Sequence, residues 1–188
     1  MTFFEYAMVM VSIMLAIGLS QLLRAVGDVI LSPDRFWPHI GWIIALVLLT
    51  VQVWWAYWDM HEGVEWNVSL YGFVLLGPAL LLVAANILVP ASRAEDLDWR
   101  AHLTRARRPF FSFLLAFQVF GILFSRVVMD VPLLIPFRAA QLVLVFIALA
   151  GLLFTQPRLH ALLPAIYILT AIVANLLFRS YPAAFGLA

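Results

Sequence analysis

The sequence predicts an all-α fold: a polytopic integral membrane protein with six transmembrane helices, forming a single domain over 1–188. Three observations carry this expectation. Of the 188 residues, 65% are apolar and 11% charged, and mean hydropathy is +1.05, whereas a soluble domain averages ~45–50% apolar and ~25% charged. The apolar residues gather into six runs close to the ~20 residues that cross a bilayer as a helix. Pro, Asp or Arg punctuates the boundaries of the runs. The same composition excludes disorder, which needs low hydrophobicity and high net charge.

The first run, 3–23, carries Glu5 near its start and no basic residue before it. It lacks the basic flank of a signal peptide, so it is expected to stay as a helix. Arg24 and Asp28 follow at i,i+4 spacing, an expected ion pair.

The second run, 40–58, follows Pro33 and Pro38. Gly41, Ala45, Gln52, Ala56 and Asp59 share one helical face. Small residues there let backbones approach, and Gln52 can hydrogen-bond across the contact. Trp54 and Trp58 point away from that face, as in an interfacial aromatic belt.

The third run, 68–89, has Pro78 at its middle. A proline there removes one backbone hydrogen bond, which marks a kink and makes Pro78 a candidate hinge. After Pro90 comes the segment 91–108, expected to be the longest loop, on the inner side. It holds Arg93, Arg100, Arg105, Arg107 and Arg108. Such a cluster sets topology. Arg105, Arg107 and Arg108 are also candidates for anionic lipid head groups, at ~1 kcal/mol per charge.

The fourth run, 110–129, places Phe110, Phe113, Phe117, Phe120 and Phe124 at spacings of three and four, on one face. Gln118, Ser125 and Arg126 fall on the other side, expected to turn inward because membrane polar groups avoid hydrocarbon. The fifth run, 137–154, opens with Arg138 and Gln141. The sixth, 161–178, contains Pro164 and Asn175.

Six spans put both termini on one side. The side of 91–108 then holds Arg24, Arg35, Arg93, Arg100, Arg105, Arg107, Arg108 and Arg158, against Arg126, Arg138 and Arg179 on the other. By the positive-inside rule both termini lie outside, periplasmic or extracellular, in a bacterial inner membrane. Arginine as the sole strong base, with abundant Ala and Leu, points to a GC-rich bacterial genome. Two halves of three spans each must face opposite ways, which is the topology of inverted-repeat transporters. The only sequence likeness between them is Pro78 before Ala84-Ala85-Asn86 and Pro164 before Val173-Ala174-Asn175.

The embedded polar residues gather in the outer third. Glu5, Gln52, Arg126, Arg138, Gln141 and Asn175 come from five helices at similar depth and form the candidate lining of an outward-facing polar pocket. Arg126 and Arg138 would hold an anionic group while Glu5 balances charge or exchanges a proton. The alternative is a structural ion-pair layer, with Arg126 bonded to Asp130 at i,i+4 spacing.

Missing residues exclude much chemistry. There is no Cys, hence no disulfide, thiolate metal site or thiol nucleophile. There is no Lys, hence no retinal or other Schiff base and no phosphate-loop lysine. A net charge of +1 gives no field for nucleic acid. His39, His102 and His160 share the inner side without metal-ligand spacing, and His61-Glu62 lacks the second His of a zinc helix. The expectation is therefore no metal and no identified cofactor, and no visible enzyme machinery. Membrane lipids are expected partners, with a second copy or a membrane complex as further ones. Three functions remain: a small transporter- or channel-like protein; a non-catalytic sensor, scaffold or accessory subunit; and a lipid-handling protein or enzyme.

Overall fold

A computed structural model describes residues 2–32, 36–58, 65–89, 98–133 and 135–179, with backbone alone for Trp58, Pro136, Leu177, Phe178 and Arg179. Six helices follow in order among these residues: α1 (Phe3–Leu31), α2 (Trp37–Trp58), α3 (Val68–Leu88), α4 (Trp99–Val127), α5 (Pro136–Leu153) and α6 (Pro157–Arg179). The described residues contain no strand. The protein is an all-α, polytopic membrane protein. Five helices are long and apolar enough to cross a membrane, while the apolar stretch of α5, 137–153, is shorter.

Local chemistry starts the helices. Thr2 and Glu5 form a capping box, each side chain accepting from the other's backbone N–H at 3.1 and 2.8 Å. Asn67 caps α3 through Leu70 N–H, and Asp98 caps α4 through Ala101 N–H, both at 2.9 Å. Pro136 and Pro157 open α5 and α6, where a missing N–H costs nothing.

Two boundaries differ from expectation. α1 runs on to Leu31, since Leu22, Ala25 and Val29 continue the buried stripe of Val11, Leu15 and Gly18. Residues 99–108, expected as loop, are the first turns of α4. Asp98 supplies the cap, and Trp99, Leu103, Ala106 and Phe110 put one apolar face inward while the arginines ride outside it. The residues 90–97 lie outside the described residues, as do Arg35, Asp59 and His61.

The helices form a ring in the order α1, α3, α4, α5, α6, α2, with α2 also reaching α3 and α4. α5 is pinned along α4 at both ends: Arg138 Nη1 donates to Ser125 Oγ at 2.8 Å, and Arg107 Nη1 donates to Leu152 O at 2.8 Å. The halves do not pack as copies of each other. α1 lies against α3, but α4 and α6 make no comparable backbone approach. Asn86 and Asn175 do make the same bond, each to the carbonyl four residues earlier.

The core is aromatic. Phe110, Phe117, Phe120 and Phe124 of α4 are buried, so the phenylalanine face meets helices α2 and α3 rather than lipid. Trp42 packs edge-on against Phe110, Phe111 and Tyr167, with centroids 5.1–5.5 Å apart. The lipid-facing sides keep their apolar residues exposed, Trp54 of α2 among them.

Candidate functional site

A cavity of about 230 Å³ lies between α2, α4, α5 and α6, toward the end of the bundle where α1 begins. Among the described residues its polar lining is uncharged: Gln52, Tyr57, Gln118, Ser125, Gln141 and Asn175. The rest is apolar, with Phe117, Phe124, Met129 and Phe137 most prominent.

Each wall is built by a local bond. On the α2–α6 side, Gln52 Nε2 reaches Ala171 O at 3.5 Å, and Asn175 Nδ2 donates to the same carbonyl at 2.7 Å. Gln52 can do this because Gly41 brings α2 close to α6: a Cβ there would stand 2.8 Å from Pro164 Cβ. The small face read from the sequence is thus the α2–α6 contact. On the α4–α5 side, Arg138 is only 6% exposed and donates to Ser125 Oγ and to Gln141 Oε1. Its charge sits behind two neutral lining residues and is spread over them, which suits a buried cation with no carboxylate partner among the described residues.

The floor is Gln118, whose amide donates to the Tyr167 hydroxyl. Gln118 lies about 14 Å along α4 from its end at Val127, by the 1.5 Å rise per residue. Below it the ring cluster of Trp42, Phe110, Phe111 and Tyr167 is fully buried and closes the bundle. Gly121 faces the cavity, and a Cβ there would meet open space within 4 Å.

The structure brings together Gln52, Gln141 and Asn175 of the six expected residues, with Arg138 directly behind Gln141. It does not bring Glu5 or Arg126 to the cavity. Glu5 belongs to α1, which packs on α2 and α3, and its carboxylate caps its own helix. Arg126 is exposed and pairs with Asp130, as the i,i+4 spacing predicted. Asp130 adopts φ of +50°, a left-handed turn that ends α4, with Val131 N–H on Ser125 O at 2.9 Å. Arg126 and Arg138 therefore do not line this cavity together. Sequence reading missed Gln118 and Tyr57 as lining. Gln118 was visible as a polar residue on an apolar helix, but its partner Tyr167 lies on another helix 49 residues away.

Pro78 is buried and braced. Its missing N–H leaves Val74 O without the partner it would have in an unbroken helix. The Tyr57 hydroxyl of α2 donates to that carbonyl at 2.7 Å. Gly77 lies flat under Phe120, 2.5 Å from where its Cβ would be.

At the opposite end, Arg107 donates from Nη1 to the carbonyls of Gly151, Leu152 and Phe154, closing the C-terminus of α5. Arg105 and Arg108 are exposed. The His39 and His102 rings meet at 5.8 Å, whereas His160 packs on Phe111 and bonds Phe154 O. Among the described residues no three His, Asp or Glu side chains come together as a metal site.

These features define a polytopic helical membrane protein with a small, uncharged polar pocket opening toward one end. Compared with protein-family models, with curated proteins and with solved structures, the chain matches none.

Proposed function

We propose that the protein is a transporter-like membrane protein that admits a small, neutral, mostly apolar ligand into this cavity. The observation that supports it is the cavity itself: side-chain amides from four helices around a space walled by aromatic rings, with no carboxylate or guanidinium in the lining among the described residues. Such a site favours a ligand with an apolar body and one or two hydrogen-bonding groups. An anion is disfavoured, because Arg138 is already committed to Ser125 and Gln141. The arginine-rich end is assigned to the cytoplasm by charge bias, so the cavity faces outward in a bacterial inner membrane.

Gly121 provides the test. Gly121→Leu starts from a Cβ position with nothing within 4 Å and points into the cavity, so the fold is expected to survive it. The neutral fluorophore N-phenylnaphthylamine carries an aromatic body and one N–H. It is expected to bind the purified protein saturably, and Gly121→Leu is expected to lose that binding while unfolding at the same temperature. Saturable binding that persists in Gly121→Leu, or none in the wild type, overturns the site. Uptake of a bound ligand into proteoliposomes then separates a carrier from a receptor.

A further inference from the structure

A second cavity, of about 690 Å³, lies at the arginine end between the start of α2, the first turns of α4 and the start of α6. Arg100, Arg105, Arg107 and Arg108 all line it, and no acidic residue does among the described residues. Among the described residues none of the four has a carboxylate partner. Arg107 is held in place by three carbonyls of α5 through Nη1 alone. Arg100 sits over the Phe36 ring at 5.2 Å. Thr155 and His160 add polar atoms on the α6 side, and Leu103 and Trp37 give an apolar base.

An independent feature adjoins it. A wholly apolar groove of about 400 Å³ begins at Trp37, which lines both spaces, and follows α2 and α6 past Ile44, Ala165 and Ile172. It extends about 10 Å along each helix, from Trp37 to Ile44 and from Ala165 to Ile172.

We infer that the arginine cavity binds a phosphate-bearing anion, and that the source is the head group of an anionic phospholipid with an acyl chain in the α2–α6 groove. Guanidinium forks match phosphate oxygens in pairs, and several on one helix face read phosphate better than any single contact. Arginines at head-group depth attract anionic lipid in any case. What the fold adds is a concave seat for the phosphate and a hydrocarbon slot leading from it. A soluble phosphate would use the first and leave the second empty. The site is separate from the pocket at the other end of the bundle and does not depend on its reading.

The test uses the full-length protein in a mild detergent, with thermal unfolding followed as lipid is added. Dioleoyl-phosphatidylglycerol is expected to raise the midpoint saturably, and dioleoyl-phosphatidylcholine is not. Arg105→Gln combined with Arg108→Gln is expected to weaken the response at least about tenfold. Arg105→Lys with Arg108→Lys, which keeps the charge but not the guanidinium fork and guards against a folding defect, is expected to retain part of it. Arg24→Gln, an exposed arginine of α1 outside the cavity, leaves the response unchanged. Ala165→Leu, which fills the groove, weakens the lipid response. Equal response to both lipids, or equal loss in Arg24→Gln, reduces the effect to general surface charge and overturns the site. Inorganic phosphate reproducing the whole effect, or an unchanged response in Ala165→Leu, overturns the lipid as its source.

Discussion

At the scale of single residues, Tyr57 has the clearest energetic role. Val74 O loses its helical partner because residue 78 is proline, and hydrocarbon offers no water to replace it. The Tyr57 hydroxyl is the substitute. Tyr57→Phe is expected to lower stability by about 1–3 kcal/mol, the cost of a buried acceptor left bare. In a Pro78→Ala background the N–H returns, and the same change should then cost much less. A double-mutant cycle by thermal unfolding measures the difference, and equal costs in both backgrounds would refute the pairing. Pro78 was legible in the sequence as an interruption and as a candidate hinge. Its brace was not, because the donor sits 21 residues earlier on a different helix and only packing brings the two together. The same holds for Glu5: its place near the start of α1 was readable, but its use as a cap was decided by Thr2 three residues before it.

At the scale of elements, close approach decides where helices cross. Gly77 lies under Phe120 and the Tyr57 hydroxyl, and Gly151 lies under the Phe111 ring, where an added Cβ would collide with ring carbons. Gly27 and Gly72 have nothing within 4 Å of that position. Alanine at Gly77 or Gly151 is therefore expected to destabilise by about 1–3 kcal/mol through overpacking. Alanine at Gly27 or Gly72 is expected to stabilise by up to about 1 kcal/mol, the helix-propensity gain. Unfolding midpoints in detergent check both, and a loss at Gly72 as large as that at Gly77 would remove the packing explanation. The six helices were legible because apolar runs and their Pro boundaries are local signals. Helix ends were less so. Residues 99–108 read as loop by their arginines, yet a cap at Asp98 and an apolar face at 3–4 spacing outweigh exposed charge in setting a helix. The phenylalanine face of α4 was found correctly by phase, but phase alone does not say whether rings meet lipid or neighbours.

At the scale of the whole molecule, charge distribution sets which end faces the cytoplasm, and the order of helices around the ring sets which polar residues can meet. Orientation is directly measurable, since the chain has no cysteine to interfere. A membrane-impermeant maleimide applied to intact cells is expected to label Glu65→Cys, before α3, and to spare Gln156→Cys, before α6. The reverse pattern would invert the assignment and place the neutral pocket on the cytoplasmic side. The ring order also explains why the candidate site was only half legible. Depth along a helix can be counted from sequence, so Gln52, Gln141 and Asn175 could be grouped by level, and all three line one cavity. Adjacency cannot be counted, and α1 with Glu5 lies on the far side of α2 from the cavity.

One feature of α5 reaches beyond the protein. The helix has 18 residues, about 27 Å, against ~30 Å of hydrocarbon. A guanidinium sits at each end of it, Arg138 near the start and Arg107 on the carbonyl of Gly151, which leaves only about 20 Å of helix axis between the two charges. Polar groups held at those depths draw head groups and water toward them. The bilayer beside this flank is therefore expected to thin, and lipids with shorter chains, or another equally short helix, are expected to fit against it with the least deformation.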